Sequence, residues 1–291
     1  MKYKLYAIIA AASYAISIPL SKILLKEIPS TTLAGILYFG AGIGMLLITL
    51  SKGYIKKDNR NNLLVKSDLP YVIGMVALDI LAPILLMLAI NKSSTSVVSL
   101  LNNFEIVATT FIALIFFKEK VSGKLWIGII FVTAASVILS IDLDNKLTFS
   151  VGALLTLLAC TCWGVENNFT RKISDKNTYQ IVIIKGLFSG IGSIIIGLIF
   201  SETITNWLYV GFALILGFVS YGLSVFFYVL AQSKLGASKT SAYYALSPFI
   251  GVILSFILFM SIPNYLFFIA LPIMIIGTIF ISKDKLVKEK N

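Results

Sequence analysis

Histidine is absent from this sequence altogether. Side-chain proton chemistry near neutral pH must therefore run through carboxylates, lysines or tyrosines, and zinc or haem sites lose their usual ligand. Cysteine is almost absent. The two present, Cys160 and Cys162, fall in one apolar run. On a helix they would point about 200° apart, which disfavours a shared ligand or a mutual disulfide and leaves packing as their role. Charge is scarce as well: Asp, Glu, Lys and Arg make up 13% of the chain, against about 25% in a soluble domain. So few charges cannot cover a surface that faces water, so most of it must face lipid. No polar stretch is long enough for a separate soluble domain, and the 291 residues read as one bundle. The net charge of +11 would raise nucleic acid as a partner in a soluble protein. Here the bases lie in short segments between apolar runs, without interleaved aromatics on a soluble face, so nucleic-acid binding is not expected. No metal-ligand cluster or nucleophile motif is visible; no cofactor is expected, and an enzyme is disfavoured.

What the chain does have is hydrophobic sequence, 58% of it, in long runs. A helix needs about 20 apolar residues to cross the bilayer core. Ten windows qualify, near 3–25, 31–51, 69–91, 95–117, 123–141, 151–172, 178–200, 205–230, 238–260 and 264–282. The first follows two bases, but it is longer than a signal-peptide core and lacks a small-residue cleavage site, so it reads as a membrane helix. Alternating segments of the kind that build membrane strands do not appear. The bases alternate with the loops. Lys2 and Lys4, the group Lys52 to Lys66, Lys118 to Lys124, Arg171 to Lys176, Lys234 with Lys239, and the tail from Lys283 fall on one side; Lys26, Lys92 and Lys146 fall on the other, with Lys22 near them. The positive-inside rule then places both termini in the cytoplasm.

The chain also repeats itself weakly. Ser13-Tyr14-Ala15-Ile16 through Gly42-Ile43-Gly44 resembles Cys162-Trp163-Gly164-Val165 through Gly190-Ile191-Gly192, and Leu88-Ala89 with Lys92 recurs as Leu230-Ala231 with Lys234. Five helices per half is an odd number, so the second half enters the membrane from the other side. The expected fold is all-α and integral to the membrane: ten transmembrane helices as two inverted five-helix repeats, residues 1–147 and 148–291. Inverted repeats of this kind are common in secondary transporters, with the binding site near the midplane between them. Pro19, which removes a backbone donor, aligns with Asn168 in the row Glu166-Asn167-Asn168. Both halves are therefore expected to be interrupted there, either as a binding site or as a kink held by interhelical hydrogen bonds. Pro83 and Pro248 mark further interruptions.

Ionisable groups inside a bilayer are costly and usually face a cavity or a partner. Asp79, Glu105, Glu166 and Lys185 are in that position. Glu105 shares a face with Asn102 and Thr109, beside a polar stripe of Ser96, Ser99, Asn103 and Thr110; it lines a hydrated cavity or bonds to a neighbouring helix. Lys185 either snorkels or pairs with Glu166 or Glu105. Asp79, four residues before Pro83, either binds a cation or pairs with Lys185. Trp163, Tyr14, Tyr38, Tyr221, Tyr243 and Tyr244 can stack on an organic substrate or hold a cation, or merely pack. Gly40, Gly44, Gly186, Gly190 and Gly197 mark faces for close helix approach.

The stretch Ser93–Gly128, with Asn103-Phe104-Glu105 and Lys118-Glu119-Lys120-Val121, and the stretch Leu235-Gly236-Ala237 through Ala245-Leu246-Ser247-Pro248 resemble the drug/metabolite transporter superfamily, in its EamA-type ten-helix group. The resemblance spans nearly the whole chain. Where the family often has Glu-Pro twice, this sequence has Glu105-Ile106 and Ser247-Pro248, one member in each half, and Ser261 stands opposite Glu119. The resemblance implies export or exchange of small metabolites, amino acids or drugs across a bacterial or archaeal cytoplasmic membrane. It also implies a central cavity lined mainly by helices 1, 3, 4, 6, 8 and 9. The expectation is alternating access around a midplane site. Glu105, Glu166 and Asp79 would take a proton or cation, and Asn102, Asn103, Asn167 and Asn168 would bond the substrate. Burial favours the neutral form of a carboxylate, which suits proton exchange. Expected partners are a small-molecule substrate, protons and membrane lipid, with a homodimer left open. A passive facilitator, a lipid enzyme and a receptor or scaffold stand as rivals.

Overall fold

The computed structural model describes residues 2–51, 62–117, 122–142, 148–173, 176–235 and 243–282. Glu119, the loop bases Lys52, Lys56, Lys57, Arg60, Lys118, Lys120, Lys146 and Lys239, the Gly236-Ala237 pair and the basic tail lie outside the described residues.

Long runs of Leu, Ile, Val and Ala with few interior charges leave helix as the one way for each segment to satisfy its own backbone in lipid. The helices are α1 (Lys2–Ala15), α2 (Ser17–Leu24), α3 (Ser30–Ser51), α4 (Leu69–Lys92), α5 (Thr95–Leu101), α6 (Phe104–Phe117), α7 (Gly123–Ser140), α8 (Val151–Lys172), α9 (Thr178–Ile199), α10 (Trp207–Gly217), α11 (Ser224–Leu235), α12 (Ser247–Phe259) and α13 (Tyr265–Ser282). A π-helical segment, Phe218–Leu223, joins α10 to α11. A two-residue antiparallel pair, Ile141–Asp142 with Thr148–Phe149, closes the turn between α7 and α8. Starts follow side-chain capping. Ser94, Ser122 and Ser150 accept from the amides of Val97, Leu125 and Ala153, and Asn177 accepts from that of Gln180 at 3.1 Å.

Among the described residues, seven helical stretches are long and apolar enough to cross a membrane: Lys2–Leu24, Ser30–Ser51, Lys66–Lys92, Thr95–Phe116, Gly123–Ser140, Thr178–Ile199 and Trp207–Tyr228. Helix α8 has 22 residues, but its last turns carry Glu166, Asn167, Asn168, Arg171 and Lys172. Helices α12 and α13 are apolar and shorter. Large apolar side chains such as Ile115, Phe116, Leu198 and Ile199 point outward, while serines, threonines and the ionisable groups turn inward. This is the polarity expected of a bundle whose solvent is lipid.

Small residues set the closest approaches. The backbone of α3 runs against α9 and α10. A Cβ on Gly186 would meet the Gly42 amide, and one on Gly217 would meet the Leu37 carbonyl. The glycines singled out in the sequence thus serve helix contact. Both ends of the bundle are tied. At one end Glu202 accepts from the Thr32 amide and hydroxyl, each at 2.7 Å, Asn91 donates to Ser30 at 2.8 Å, and Lys22 donates to the Ile90 carbonyl. At the other, Asn177 N donates to the Asn62 carbonyl at 2.8 Å, Leu64 N donates to Gln180 Oε1 at 2.9 Å, and Lys176 pairs with Asp68 at 3.5 Å.

The interruptions agree in part with those expected: the first span breaks at Ile16, three residues before Pro19, and α12 starts beside Pro248, whereas α8 and α4 do not break. Helix α8 runs unbroken through Glu166-Asn167-Asn168. The amide of Asn168 donates to the Gly164 carbonyl at 2.8 Å and the Thr109 carbonyl at 3.1 Å, so neighbouring helices satisfy this polar row and no unwinding is needed. Helix α4 likewise continues through Pro83. Real interruptions occur at Ile16, between α1 and α2, and at Asn102-Asn103, between α5 and α6. At the second, Asn103 N and Glu105 N turn to acceptors three residues back, Leu100 and Asn102. A third turn, Ala245-Leu246, precedes α12, with Pro248 in its first turn, where a proline costs no hydrogen bond.

Candidate functional site

Helices α3, α4, α8 and α9 converge on a buried ion cluster. Lys185 Nζ on α9 lies 3.1 Å from Asp79 Oδ2 on α4 and 3.0 Å from Glu166 Oε1 on α8. Both carboxylates are buried, at 0% and 1% exposure. Tyr38, from α3, donates to Asp79 Oδ1 at 3.0 Å, and Trp163 donates through its indole to the Tyr38 hydroxyl at 3.3 Å. Thr170 donates to Glu166 one turn below. Lys185 does not snorkel; it bridges two acids on two other helices, and Asp79 is one of them. The two acids are buried, and attraction to the ammonium is far stronger there than at an exposed surface.

Glu105 belongs to a second part of the same interior. It starts α6 and is half-buried. Asn167 donates to its Oε1 at 2.8 Å and to Thr109 Oγ1 at 3.2 Å. Glu105 and Glu166 are thus approached from one helix: α8 carries Glu166 itself and, one residue on, the Asn167 that holds Glu105. Among the described residues no ion pair reaches Glu105. Asn102 donates to the Tyr14 hydroxyl at 3.3 Å, and Cys160 is buried against Asn102, with Sγ 3.7 Å from Oδ1. Both cysteines are free.

The tyrosines form a continuous lining between these parts. Ring centroids lie 5.1 Å apart for Tyr38 and Tyr221, 5.8 Å for Tyr14 and Tyr221, 5.8 Å for Tyr14 and Tyr244, and 5.0 Å for Tyr228 and Tyr244. The structure therefore gathers Asp79, Glu166, Lys185, Tyr38 and Trp163 at one end of the tyrosine row. Asn102, Tyr14 and Tyr244 stand at the other, with Glu105 and Asn167 alongside. Two of the asparagines expected to bond substrate also make local hydrogen bonds: Asn103 donates to the Leu100 carbonyl at 3.3 Å, and Asn168 donates to backbone carbonyls. Pro83 acts through what it lacks, since the Asp79 carbonyl four residues earlier has no amide to accept from. Sequence reasoning missed the break at Asn102-Asn103. The doubled asparagine, a poor helix former that competes for backbone groups, was the available signal.

A lipid-compatible surface around an enclosed polar and charged interior defines a multi-pass helical membrane protein. The chain belongs to the EamA-like transporter family, part of the drug/metabolite transporter superfamily: residues 1–141 and again residues 150–283 match it. A similar protein, described as an uncharacterized transporter, comes from Methanothermobacter thermautotrophicus; it is 23% identical over 267 residues, covering 86% of this chain and 77% of its own. A solved crystal structure aligns with 100% of this chain and 99% of its own at a TM-score of 0.71 and 13% identity, a likeness of fold.

Proposed function

We propose that this transporter is a secondary active carrier of a small polar metabolite, an amino acid or organic cation, working as an exporter or proton-coupled exchanger by alternating access. Its ten spans would be two inverted five-helix repeats, 1–147 and 148–291, in a bacterial or archaeal cytoplasmic membrane with both termini inside. Two observations favour the repeat. The family matches twice, over segments of similar length. The packing is also two-fold in pattern. Helix α4 packs on α8 as α11 packs on α1, α6 on α8 as α12 on α1, and α10 on α3 as α4 on α9, while α3 with α9 and α7 with α13 pair across the axis.

The observation that carries the transport reading is the charge set. Asp79 and Glu166 face one ammonium, Lys185, inside the bundle, and Glu105, held by Asn167, adds a third acid with no ion pair among the described residues. Uncompensated charge in that setting is costly, so the empty carrier favours taking up a proton, and the loaded one a cationic group. In this reading Glu105 is the exchange site, Asp79 and Glu166 tune it through Lys185, and Asn102 and Asn167 bond the substrate. Trp163, Tyr14, Tyr221 and Tyr244 enclose it. Moving one positive charge outward against an inside-negative potential costs about 2.3 kcal/mol per 100 mV; exchange for an incoming proton cancels that cost for a monovalent cation.

The test is flux of radiolabelled amino acids and organic cations in proteoliposomes, with and without a pH gradient, for wild type and Glu105→Gln. Gradient-driven flux lost in the variant is the expected result. Saturable flux indifferent to gradient and variant would instead establish a passive facilitator.

A further inference from the structure

Trp163 and Tyr38 reach the ion cluster in a fixed order. An indole N–H can only donate, so Trp163, 3.3 Å from the Tyr38 hydroxyl, takes up a lone pair of that oxygen. The one proton of the Tyr38 hydroxyl then points to Asp79 Oδ1, at 3.0 Å. The other carboxylate oxygen, Oδ2, faces the Lys185 ammonium at 3.1 Å, a group with three donors and no acceptor. Both oxygens of Asp79 are therefore met by donors. A proton on Oδ2 would point at an ammonium that cannot accept it, and one on Oδ1 would displace the proton of Tyr38. Asp79, Tyr38 and Trp163 are all buried, so bulk water does not stand in for these partners. The other two acids are met differently. Glu166 shares the ammonium through Oε1, at 3.0 Å, and the same atom accepts from Thr170. Glu105 takes an amide N–H of Asn167 on its Oε1. Among the described residues these contacts fall on Oε1 alone.

One ammonium balances one carboxylate, and a buried ammonium left without a partner is costly. We propose that Trp163 and Tyr38 are positioning residues that hold Asp79 as the standing ionised partner of Lys185, so that proton uptake in the interior falls to Glu166 and Glu105. Trp163 acts through Tyr38, and its indole N–H is spent there rather than on a substrate. The titratable groups around Asp79 are Tyr38 from α3, Glu166 from α8 and Lys185 from α9. The other described segments packed on α4 add none beside it. Lys22 of α2 reaches only the Ile90 carbonyl, at the far end of α4, α5 carries no titratable side chain, and Lys66 and Asp68 precede the first turn of α4. The donor chain belongs to the empty protein, whatever that protein carries.

The test is an infrared pH titration of the purified full-length protein without substrate, with the carboxyl carbon of its aspartates isotope-labelled. The label separates aspartic from glutamic acid bands, and water-facing aspartates protonate only at about pH 4. Among the described residues Asp79 is the one buried aspartate. In the wild type Asp79 is expected to stay ionised down to about pH 6. Removing a donor from an ionised carboxylate favours its neutral form, so Tyr38→Phe should raise the midpoint of Asp79 protonation by at least about one pH unit. Trp163→Phe, which keeps a ring but loses the N–H, should raise it by a smaller amount. Ser220→Ala, at a buried hydroxyl without a hydrogen-bond partner, should leave it unchanged. A protonated Asp79 band in the wild type at neutral pH overturns the assignment, and that measurement needs no variant to fold. An unchanged midpoint in both ring variants overturns it as well, and so does an equal rise in Ser220→Ala, which would reduce the effect to loosened packing. Flux plays no part in this readout, so its outcome is separate from that of the transport test.

Discussion

At the scale of single residues, Lys185 decides whether the interior holds together. Its one positive charge is shared by two acids that would otherwise face each other in the interior without a cation. Removing one partner of a buried ion pair leaves an uncompensated charge, typically at a cost of about 3–5 kcal/mol. Lys185→Met is therefore expected to destabilise the protein by about that much at neutral pH, read as a lower melting temperature in detergent. The triple variant Asp79→Asn, Glu166→Gln, Lys185→Met should recover most of the loss, because none of the three paired charges remains to be stranded. A triple variant no more stable than Lys185→Met would mean that the lysine acts by packing rather than by charge.

At the scale of elements, helix contact through glycine fixes how closely α10 lies on α3. Gly217 faces the Leu37 carbonyl with no room for a methyl group, whereas Gly211, in the same helix, has nothing within 4 Å of a Cβ position. Gly217→Ala is expected to destabilise by about 1–3 kcal/mol through overpacking against backbone. Gly211→Ala should be neutral or stabilising by up to about 1 kcal/mol from helix propensity. Thermal melting of the two variants side by side separates contact from propensity; equal effects would remove the contact argument.

At the scale of the whole molecule, the ties at the two ends of the bundle belong to opposite sides of the membrane in the proposed topology. Lys26 and Lys66 are both exposed, one near each end. In a background with Cys160 and Cys162 replaced, Lys26→Cys should react with a membrane-impermeant maleimide on intact cells, and Lys66→Cys only after the membrane is opened. The reverse pattern would invert the orientation, and labelling of both on intact cells would contradict the span count between them.

Much of this protein is legible in its sequence. The scarcity of charge, the length of the apolar runs and the spacing of the bases state a membrane bundle, because lipid imposes one rule on every residue of a span and that rule is local. The glycines of α3 and α9 and the four ionisable groups are visible for the same reason: each is an exception to that rule. What required the tertiary structure was which exception meets which. Lys185 could have reached the interface or either of two glutamates, and its partners are Asp79 and Glu166 only because α4 and α8 bring them to α9. Asn168 looked like a helix breaker by alignment with Pro19, yet α8 continues, since carbonyls of its own helix and of α6 were there to accept from it. The close approach of Gly251 to Ser99 and to the Ala15 carbonyl depends on three segments far apart in the chain. A hydrogen bond or a void is decided by neighbours across the fold, which the order of residues along the chain does not specify.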